Sequence, residues 1–394
     1  GLELNDQQAL AVRLYVVVPG PKVFCILSPP GSGKTMVAAA MAAEVARRRG
    51  KDQSVQLLLS VQNVAVDNIG AALKKMDYGE RGGVYNMKTN EKLDPHRHAP
   101  FDYFDLIRSE TLEKWKKDEI NWKISSCPRW NRENRRSEYE LFDSKEDFLT
   151  YERRALEYDL DPKILLSTVE MVLQKMYTPS KLCGALERVR RVIIDEASLL
   201  PQAALFCIIQ RFPKARIVLI GDNQQLPPFL YDEKIMGHEL AGRPALSLAM
   251  KTKINPVVEL NEVYRAPSSL VAPYNRLAYG GRLVSKKAEG EIPLSEIGLF
   301  DSGKPQLLMI EVEGQEVQNV KSKSFYNEKE LEVLICLLKK FPREWTKEIM
   351  IICLYKDQKK RVQEVLDKQY NKDSVFDKFT VLTVDSAEVK RVPS

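Results

Sequence analysis

Short apolar runs alternate with stretches of helical periodicity over the first 254 residues. Each run is mostly apolar, four to six residues long and followed by a polar turn, which is typical of buried strands in a parallel sheet. The runs are Val23–Leu27, Val55–Ser60, Lys163–Thr168, Arg191–Ile194 and Ala215–Ile220. Helical stretches lie beside the first run at Ala9–Val17 and Met36–Arg49, and the second stretch is rich in Ala. The alternation predicts an α/β domain.

A second α/β block begins near Asn255. Its expected strands are Pro256–Leu260, Gln306–Val312, Met350–Leu354 and Phe379–Val384, and its expected helices are Glu328–Lys340 and Asp357–Lys368. The pattern therefore predicts two domains, residues 1–254 and 255–394.

Residues 79–161 interrupt the first domain as a charged, mostly helical insertion. Trp115, Trp122 and Trp130 lie there among Lys and Arg side chains, a mixture that suits single-stranded nucleic acid, because phosphates need cations and bases need stacking faces. The acidic side chains of the same segment dilute the positive field. A helical hairpin with its tryptophans packed inward is the interpretation we favour.

Composition narrows the class of protein only modestly. The chain has 394 residues and a net charge of +6, which permits a polyanionic partner. No apolar run approaches the roughly eighteen residues that span a bilayer, so we expect no membrane segment. The six cysteines include no C-x-x-C pair, which favours an intracellular compartment, cytoplasmic or nuclear. A metal site at His96, His98 and Cys127 lacks the spacing of a ligand set.

The polar turn after the first run carries a phosphate-binding pattern. Ser28-Pro29-Pro30-Gly31-Ser32-Gly33-Lys34-Thr35 joins a strand to a helix, as in the P-loop, although Ser28 stands where the pattern has its first Gly. The loop from Pro30 to Gly33 would cradle phosphates with backbone N–H groups. Lys34 would reach the β and γ phosphates and the Thr35 hydroxyl would bind Mg²⁺.

Four further polar residues fit an ATPase. The run that ends in Asp195-Glu196 supplies one carboxylate for Mg²⁺ and one that orients the attacking water. Gln225 follows the next run and is placed to sense the γ-phosphate. Gln8, upstream of the P-loop, can read the adenine edge with its amide, which favours ATP over GTP.

Six ordered motifs resemble superfamily 1 helicases of the nonsense-mediated-decay and senataxin group. They are L-N-x-x-Q from Leu4, P-P-G-S-G-K-T from Pro29, N-x-A-V-D-N from Asn63, I-I-D-E-A-S from Ile193, G-D-x-x-Q-L-P-P from Gly221, and Tyr264-Arg265. The resemblance covers nearly the whole chain except residues 79–161, which take the place of an accessory subdomain. It implies two RecA-like P-loop NTPase domains with ATP bound between them.

The resemblance also implies roles for individual residues. Tyr264 would stack on the adenine base, and Arg265 would reach the γ-phosphate as a finger from the second domain. Gln225 would couple the γ-phosphate to nucleic acid. The expected nucleic-acid contacts are Asn63, Ala65, Asp67, Asn68, Thr168, Pro227, Thr383 and Asp385.

The second domain follows the family pattern and then departs from it. Asn327 and Glu330 match an N-x-x-E element, Tyr355–Gln358 resembles a P-Y-x-x-Q turn with Leu354 in place of Pro, and Thr383–Ser386 resembles the start of T-V-D-S-x-Q-G-x-E. Glu388 and Val389 replace the family's Gln and Gly, and no residues match the final Arg motif. Leu199 and Val263 each stand where the family has Gln.

These patterns predict an ATP-dependent helicase or translocase on single-stranded nucleic acid, with RNA favoured over DNA, working as a monomer or within a ribonucleoprotein complex. A rival hypothesis is an ATP-binding clamp with impaired hydrolysis, and the departures after Ser386 lead us to expect poor unwinding. A P-loop kinase fits less well, because it needs only one sheet.

Overall fold

A computed structural model describes residues 3–16, 22–48, 52–76, 83–87, 162–177, 183–229, 236–289, 307–340, 349–370 and 379–384. The chain divides into two compact units. The first comprises Gly1–Ala266 and Arg282–Lys286, and the second comprises Pro267–Gly281 and Lys287–Ser394.

The first unit is built on a seven-stranded parallel sheet. Its strands are β1 (Val23–Leu27), β2 (Val55–Ser60), β3 (Val84–Asn86), β4 (Ile164–Thr168), β5 (Val189–Asp195), β6 (Arg216–Gly221) and β7 (Val257–Glu259). They are arranged in the order β3-β4-β2-β5-β6-β1-β7. The strand that precedes the P-loop and the strand that ends in Asp195 are therefore separated only by β6, which brings three motif-bearing turns to one edge.

Helices cover both faces of this sheet. They are α1 (Asp6–Val16), α2 (Lys34–Arg48), α3 (Asn63–Lys75), α4 (Val169–Tyr177), α5 (Cys183–Glu187), α6 (Gln202–Arg211), α7 (Met236–Gly242) and α8 (Ala245–Lys251), with a short 3₁₀ turn at Ala197–Leu199. Alternation along the strands sends successive side chains into different cores: Leu57 and Leu59 pack in one apolar cluster, and Leu58 packs in the other with α2 and α3. The buried alanines of α2 allow that helix to lie close to the sheet.

A separate strand pair, β8 (Glu262–Pro267) and β9 (Val284–Lys287), follows β7. The second unit contains α9 (Ser268–Ala278), β10 (Val317–Gln318), β11 (Phe325–Tyr326), α10 (Glu328–Leu338), β12 (Ile349–Cys353), α11 (Lys356–Tyr370) and β13 (Phe379–Thr383). Strands β12 and β13 pair in parallel, and α10 and α11 pack an apolar cluster around Leu331, Val362 and Val381.

The α/β fold class is confirmed, but three boundaries differ from expectation. The run at Pro256–Leu260 was assigned to the second sheet, yet β7 pairs with β1 in the first, so the division falls after Ala266 and not after residue 254. The prediction of a strand at Gln306–Val312 is wrong, since residues 307–312 are not in a strand. Residues 84–86, assigned to the insertion, form an edge strand beside β4.

Among the described residues, no helix has the length and apolar character needed to cross a membrane, and no group of three His, Cys, Asp or Glu side chains is arranged to hold a metal. His96, His98, Cys127 and nearly all of the 79–161 insertion, with its tryptophans, lie outside the described residues.

Candidate nucleotide site

The loop between β1 and α2 has the backbone of a phosphate cradle. Gly31 and Gly33 adopt φ angles of 78° and 86°, which side-chain-bearing residues rarely adopt. A Cβ on Gly31 would lie 2.7 Å from the Cβ of Arg265, and one on Gly33 would lie 2.9 Å from the amide nitrogen of Gln8. Gly31 is therefore required by conformation and by space, and Gly33 by conformation.

Ser28, in place of the usual Gly, takes part in a chain of hydroxyls within this loop. The Ser32 hydroxyl donates to the Pro29 carbonyl at 2.7 Å, and the Ser28 and Ser32 hydroxyl oxygens lie 2.7 Å apart. Because a hydroxyl has one proton, Ser28 must donate to Ser32. Both side chains are buried, so the departure from the family pattern adds a hydrogen bond to the loop.

Two contacts join the P-loop helix to the end of β5. The Lys34 ammonium lies 2.8 Å from a carboxylate oxygen of Glu196, with the two side chains 11% and 16% exposed. The Thr35 hydroxyl donates to the Asp195 carboxylate at 3.1 Å, and both residues are buried. The structure thus brings together the four residues expected to bind phosphate and metal and to activate water.

Glu196 has an unusual backbone conformation. Its φ and ψ angles of 55° and 40° lie in the left-handed region, which is uncommon for a residue other than Gly. Its N–H donates to the other carboxylate oxygen of Asp195 at 2.9 Å. Strained conformations of this kind concentrate at functional sites, and this one turns the Glu196 side chain toward Lys34.

Gln8 packs against the P-loop from α1. Its side-chain N–H donates to the Ser32 carbonyl at 3.0 Å, and its side-chain oxygen accepts from the Asn5 N–H at 3.2 Å. The helix begins at Asp6, three residues before the expected start, which places Gln8 in its first turn. Gln8 therefore lies beside the phosphate loop, where the expected adenine contact stays a prediction.

Tyr264 and Arg265 lie on β8 beside the P-loop. The Tyr264 N–H donates to the Gly31 carbonyl at 2.9 Å, and the Arg265 Cβ faces Gly31. The expectation that Arg265 comes from the second domain is wrong, since residues 262–266 belong to the first unit. The close approach is possible because Gly31 has no side chain.

A polar cluster that the sequence did not reveal surrounds the Tyr264 hydroxyl. The hydroxyl donates to Glu262 at 2.7 Å and accepts from the Asn5 amide at 2.8 Å, while Lys286 lies 3.1 Å from the other Glu262 oxygen. The hydrogen bonds from Tyr264 and Lys286 lower the pKa of Glu262 despite some desolvation. Burial and the neighbouring carboxylate raise the pKa of Tyr264. The one available signal in the sequence is the two-residue spacing of Glu262 and Tyr264, which puts their side chains on the same face of a strand.

Gln225 lies in the turn after β6, between the P-loop strand and β5 in the sheet. Its side-chain N–H donates to the Asp222 carboxylate at 3.2 Å, and Asp222 also accepts from the Gln224 N–H at 3.0 Å. The buried Asp222 thus holds the turn that carries Gln225 at the edge where Lys34 and Glu196 meet.

The expected nucleic-acid contacts of the first unit share the carboxyl edge of the sheet. Asn63, Ala65, Asp67 and Asn68 lie on the first turns of α3, Thr168 ends β4, and Pro227 follows β6. Asn63 is the first helical residue and Gln62 the N-cap, so the alternative in which Asn63 caps the helix is wrong. Asp67 accepts a hydrogen bond at 3.3 Å from Asn86, which ends β3 and was not anticipated. Thr383 ends β13 in the second unit, and Asp385 lies outside the described residues.

Two motif elements of the second unit contact each other. Asn327 caps α10 by accepting from the N–H groups of Lys329 and Glu330, and its amide donates to the Glu330 carboxylate at 3.2 Å. The Gln358 side chain bonds both the N–H and the carbonyl of Asn327, at 2.8 and 3.2 Å. The N-x-x-E and Y-x-x-Q elements are therefore joined through the start of α10.

Comparison with known families decides the classification. Two family models, each described as an AAA domain, match residues 11–230 and 243–388, and the first covers more than half of the chain. The chain belongs to the AAA-domain family that these models describe. The curated relatives that it matches are helicases, which is consistent with a helicase of superfamily 1. The chain is 35% identical over 91 residues to the DNA replication ATP-dependent helicase/nuclease DNA2 of Gallus gallus, which is 23% of this chain and 9% of that protein.

A second relative matches a longer segment. The ATP-dependent helicase upf1 of Schizosaccharomyces pombe is 26% identical over 245 residues, which is 59% of this chain and 23% of that protein. The chain thus spans less than a quarter of the length of either relative. Among solved structures, an arterivirus nonstructural protein 10 helicase with DNA matches 73% of the chain at 10% identity and a TM-score of 0.35. The classification as a superfamily 1 helicase therefore depends on the sequence matches.

Proposed function

We propose that the chain is an ATP-dependent helicase or translocase that acts on single-stranded nucleic acid. The observation that supports this most directly is the convergence of Lys34, Thr35, Asp195 and Glu196 at the carboxyl edge of a parallel sheet, beside a glycine cradle. The family membership adds the expectation of ATP as the nucleotide.

The residues at this edge fit Mg²⁺ as well as a triphosphate. The Thr35 hydroxyl and Asp195 carboxylate are oxygen donors 3.1 Å apart, and Mg²⁺ prefers oxygen ligands. Bound Mg²⁺ would neutralise charge on the phosphates. The backbone of residues 30–33 and the Lys34 ammonium would hold the phosphates themselves.

Binding of a phosphate would exchange the Glu196 carboxylate for a phosphate oxygen as the partner of the Lys34 ammonium. A phosphate that binds Lys34 removes the cation from Glu196, and the carboxylate is then available to accept a proton from the attacking water. Arg265 and Gln225 lie on segments that meet the same loop edge, and we assign them the roles of charge compensation and γ-phosphate sensing.

Nucleic acid would lie along the turns after β2, β4 and β6, where Asn63, Asp67, Thr168 and Pro227 are placed. The proposal also concerns whether the bound strand is RNA or DNA. RNA preference stays a prediction, and the names of two matched relatives, DNA2 and the 5'-3' DNA helicase ZGRF1 of Mus musculus, give DNA an equal place in the test.

The test is steady-state ATP hydrolysis with and without single-stranded RNA and DNA 12-mers. A motor should hydrolyse ATP faster, by about tenfold or more, when the oligonucleotide is present. Lys34→Ala should lose both basal and stimulated hydrolysis, because its ammonium is the point charge on the phosphates. Arg243→Gln, which removes an exposed cation paired with Glu239, is the matched control and should retain both. ATP binding with no turnover in either condition would replace the motor with the rival clamp.

A further inference from the structure

The opposite, amino-terminal edge of the first sheet has a concentrated positive charge. We define the amino edge as residues 22, 52–55, 162–163, 187–191 and 213–216, which precede or begin strands β1, β2, β4, β5 and β6. These residues include seven Lys and Arg side chains and two carboxylates, Asp52 and Glu187. Their net charge of +5 nearly equals the +6 of the whole chain. The mild overall charge therefore conceals a local basic surface.

Three of the cations, Lys22, Arg191 and Arg216, lie at one level of the sheet, and Lys163 lies one residue nearer the amino end of β4. Lys163 accepts a backbone hydrogen bond from Gln56 at 2.9 Å, Gln56 pairs with Arg191, Arg191 pairs with Arg216, and the Lys22 carbonyl accepts from the residue after Arg216. Four inter-strand steps of about 4.8 Å make this row about 19 Å long. A row of this length spans several phosphates of a nucleic-acid backbone.

Part of the row is held in place by the fold. The Arg216 guanidinium donates to the Tyr15 carbonyl at 3.3 Å, and the Arg191 guanidinium lies 5.8 Å from the Tyr15 ring centre. Arg188 and Arg190 donate to the carbonyls of Gln53 and of residues 187 and 189. Carbonyl acceptors orient a guanidinium but do not cancel its charge, and Lys22, Arg190 and Lys214 are exposed.

The surroundings favour a nucleic-acid backbone over other polyanions. None of the exposed large apolar side chains among the described residues lies within the amino edge as defined, and the two nearest to it in the sheet, Ile254 and Val257, lie where β7 begins beside β1. A protein interface of ordinary stability has an apolar centre, and a membrane surface site needs apolar side chains to insert. A phosphodiester backbone needs neither, since its affinity comes from cations.

The amino edge is separate from the ATP site. Arg191 and Asp195 are four residues apart on β5, about 13 Å of strand, and the expected nucleic-acid contacts of the first unit lie at the carboxyl edge with Asp195. We propose that the amino edge is a second binding surface for the phosphate backbone of nucleic acid, engaged by a strand long enough to reach it. This inference rests on the proposed function, because it assumes that the chain already handles nucleic acid.

The test compares labelled single-stranded 12-mers and 40-mers by fluorescence anisotropy between 50 and 200 mM salt. The variant Arg190→Gln/Lys214→Gln should bind the 40-mer about fivefold more weakly at 50 mM salt. Its slope of log affinity against log salt should fall by about 1.4, since each single-strand phosphate contact contributes about 0.7. Binding of the 12-mer and hydrolysis stimulated by the 12-mer should not change, which also shows that the variant is folded. The control Arg243→Gln/Arg282→Gln removes two exposed cations from ion pairs elsewhere in the first unit and should match the wild type.

Three results would overturn the inference. An unchanged 40-mer affinity and salt slope would show that the amino edge contacts no phosphates. Equal loss of 12-mer binding would place these cations in the main site or in the folding of the unit. Loss of binding to phosphatidylserine vesicles, with 40-mer binding intact, would identify a membrane surface instead. Failure of the proposed function is recognised separately, as wild-type hydrolysis that no oligonucleotide stimulates.

Discussion

The two units join their motif residues with different kinds of bond. In the first unit a cation and a carboxylate meet at 2.8 Å on the end of a buried seven-stranded sheet. In the second unit an amide caps a helix and a second amide bonds the cap residue, with hydrogen bonds of 2.8 to 3.2 Å. The charged contact must break when a phosphate binds Lys34, whereas the amide contacts join a side chain to the backbone at the start of a helix. Mutations should therefore affect function in the first unit and stability in the second.

The largest expected effect is on turnover in the first unit. Glu196→Gln should lower the rate of ATP hydrolysis by about 10² to 10⁴, since an amide cannot accept the proton from water. The variant should bind ATP at least as tightly as the wild type does, because Lys34 then has no ion pair to break before it binds phosphate. Rapid-quench kinetics and calorimetry measure the two quantities. Glu170→Gln, an exposed carboxylate on α4, should change neither, and a variant Glu196→Gln that still turns over would assign the base to another residue.

An intermediate effect is expected on the stability of the second unit. Asn327→Ala should destabilise the start of α10 by about 1 kcal/mol, because two N–H groups lose their acceptor. Faster hydrogen exchange in residues 328–338, with exchange in α2 unchanged, is the expected observation. Asn327→Ser keeps a neutral acceptor at the cap and should retain an exchange rate close to that of the wild type. An equal increase in α2 would contradict the separation of the two units.

The sequence anticipated the parts of the fold that depend on local pattern. Strand β1 and strand β2 have the expected bounds, because a continuous apolar run between polar turns has few alternatives to a buried parallel strand. The meeting of Thr35 with Asp195 also followed from the sequence, since parallel strands bring their carboxyl ends to one edge. The α/β class and the Lys34 region could thus be predicted from the sequence alone.

The remaining features depend on contacts that no local pattern encodes. An apolar strand of three residues such as β7 could pair at the edge of either sheet. Its pairing with β1 could therefore not be deduced from its sequence. Asn5 and Glu262 are bonded at 3.0 Å although 257 residues separate them. The cap at Gln62 in place of Asn63 is a difference of one residue, which helix boundaries commonly show.

The smallest expected effect concerns pH and the Glu262 cluster. Glu262 has a pKa below its usual value, so its contribution to stability is fully present above about pH 4.5 and is lost as pH falls through the folded-state pKa. Glu262→Gln should lower the melting temperature by about 1 °C at pH 7, a small change because the ion pair with Lys286 is partly exposed. The difference from the wild type should shrink as the pH falls through the lowered pKa of Glu262.

Thermal melts at pH 7, 5 and 3.5 measure this difference. Lys286→Gln should show a smaller loss at pH 7, since Glu262 keeps its hydrogen bonds from Tyr264 and Asn5, and the double variant should lose little more than Glu262→Gln alone. A difference that increased at low pH would have the wrong sign for a carboxylate with a lowered pKa.

The hydrogen bond from the Tyr264 N–H to the Gly31 carbonyl ties the phosphate loop to the strand through which the chain leaves the first unit. Only Arg265 and Ala266 stand between this bond and Pro267, where the second unit begins. The loop that would hold phosphate and the point where the chain leaves the first unit are thus anchored to the same strand. A side chain in place of Gly31 would therefore disturb both the cradle and the last residues of the first unit before Pro267.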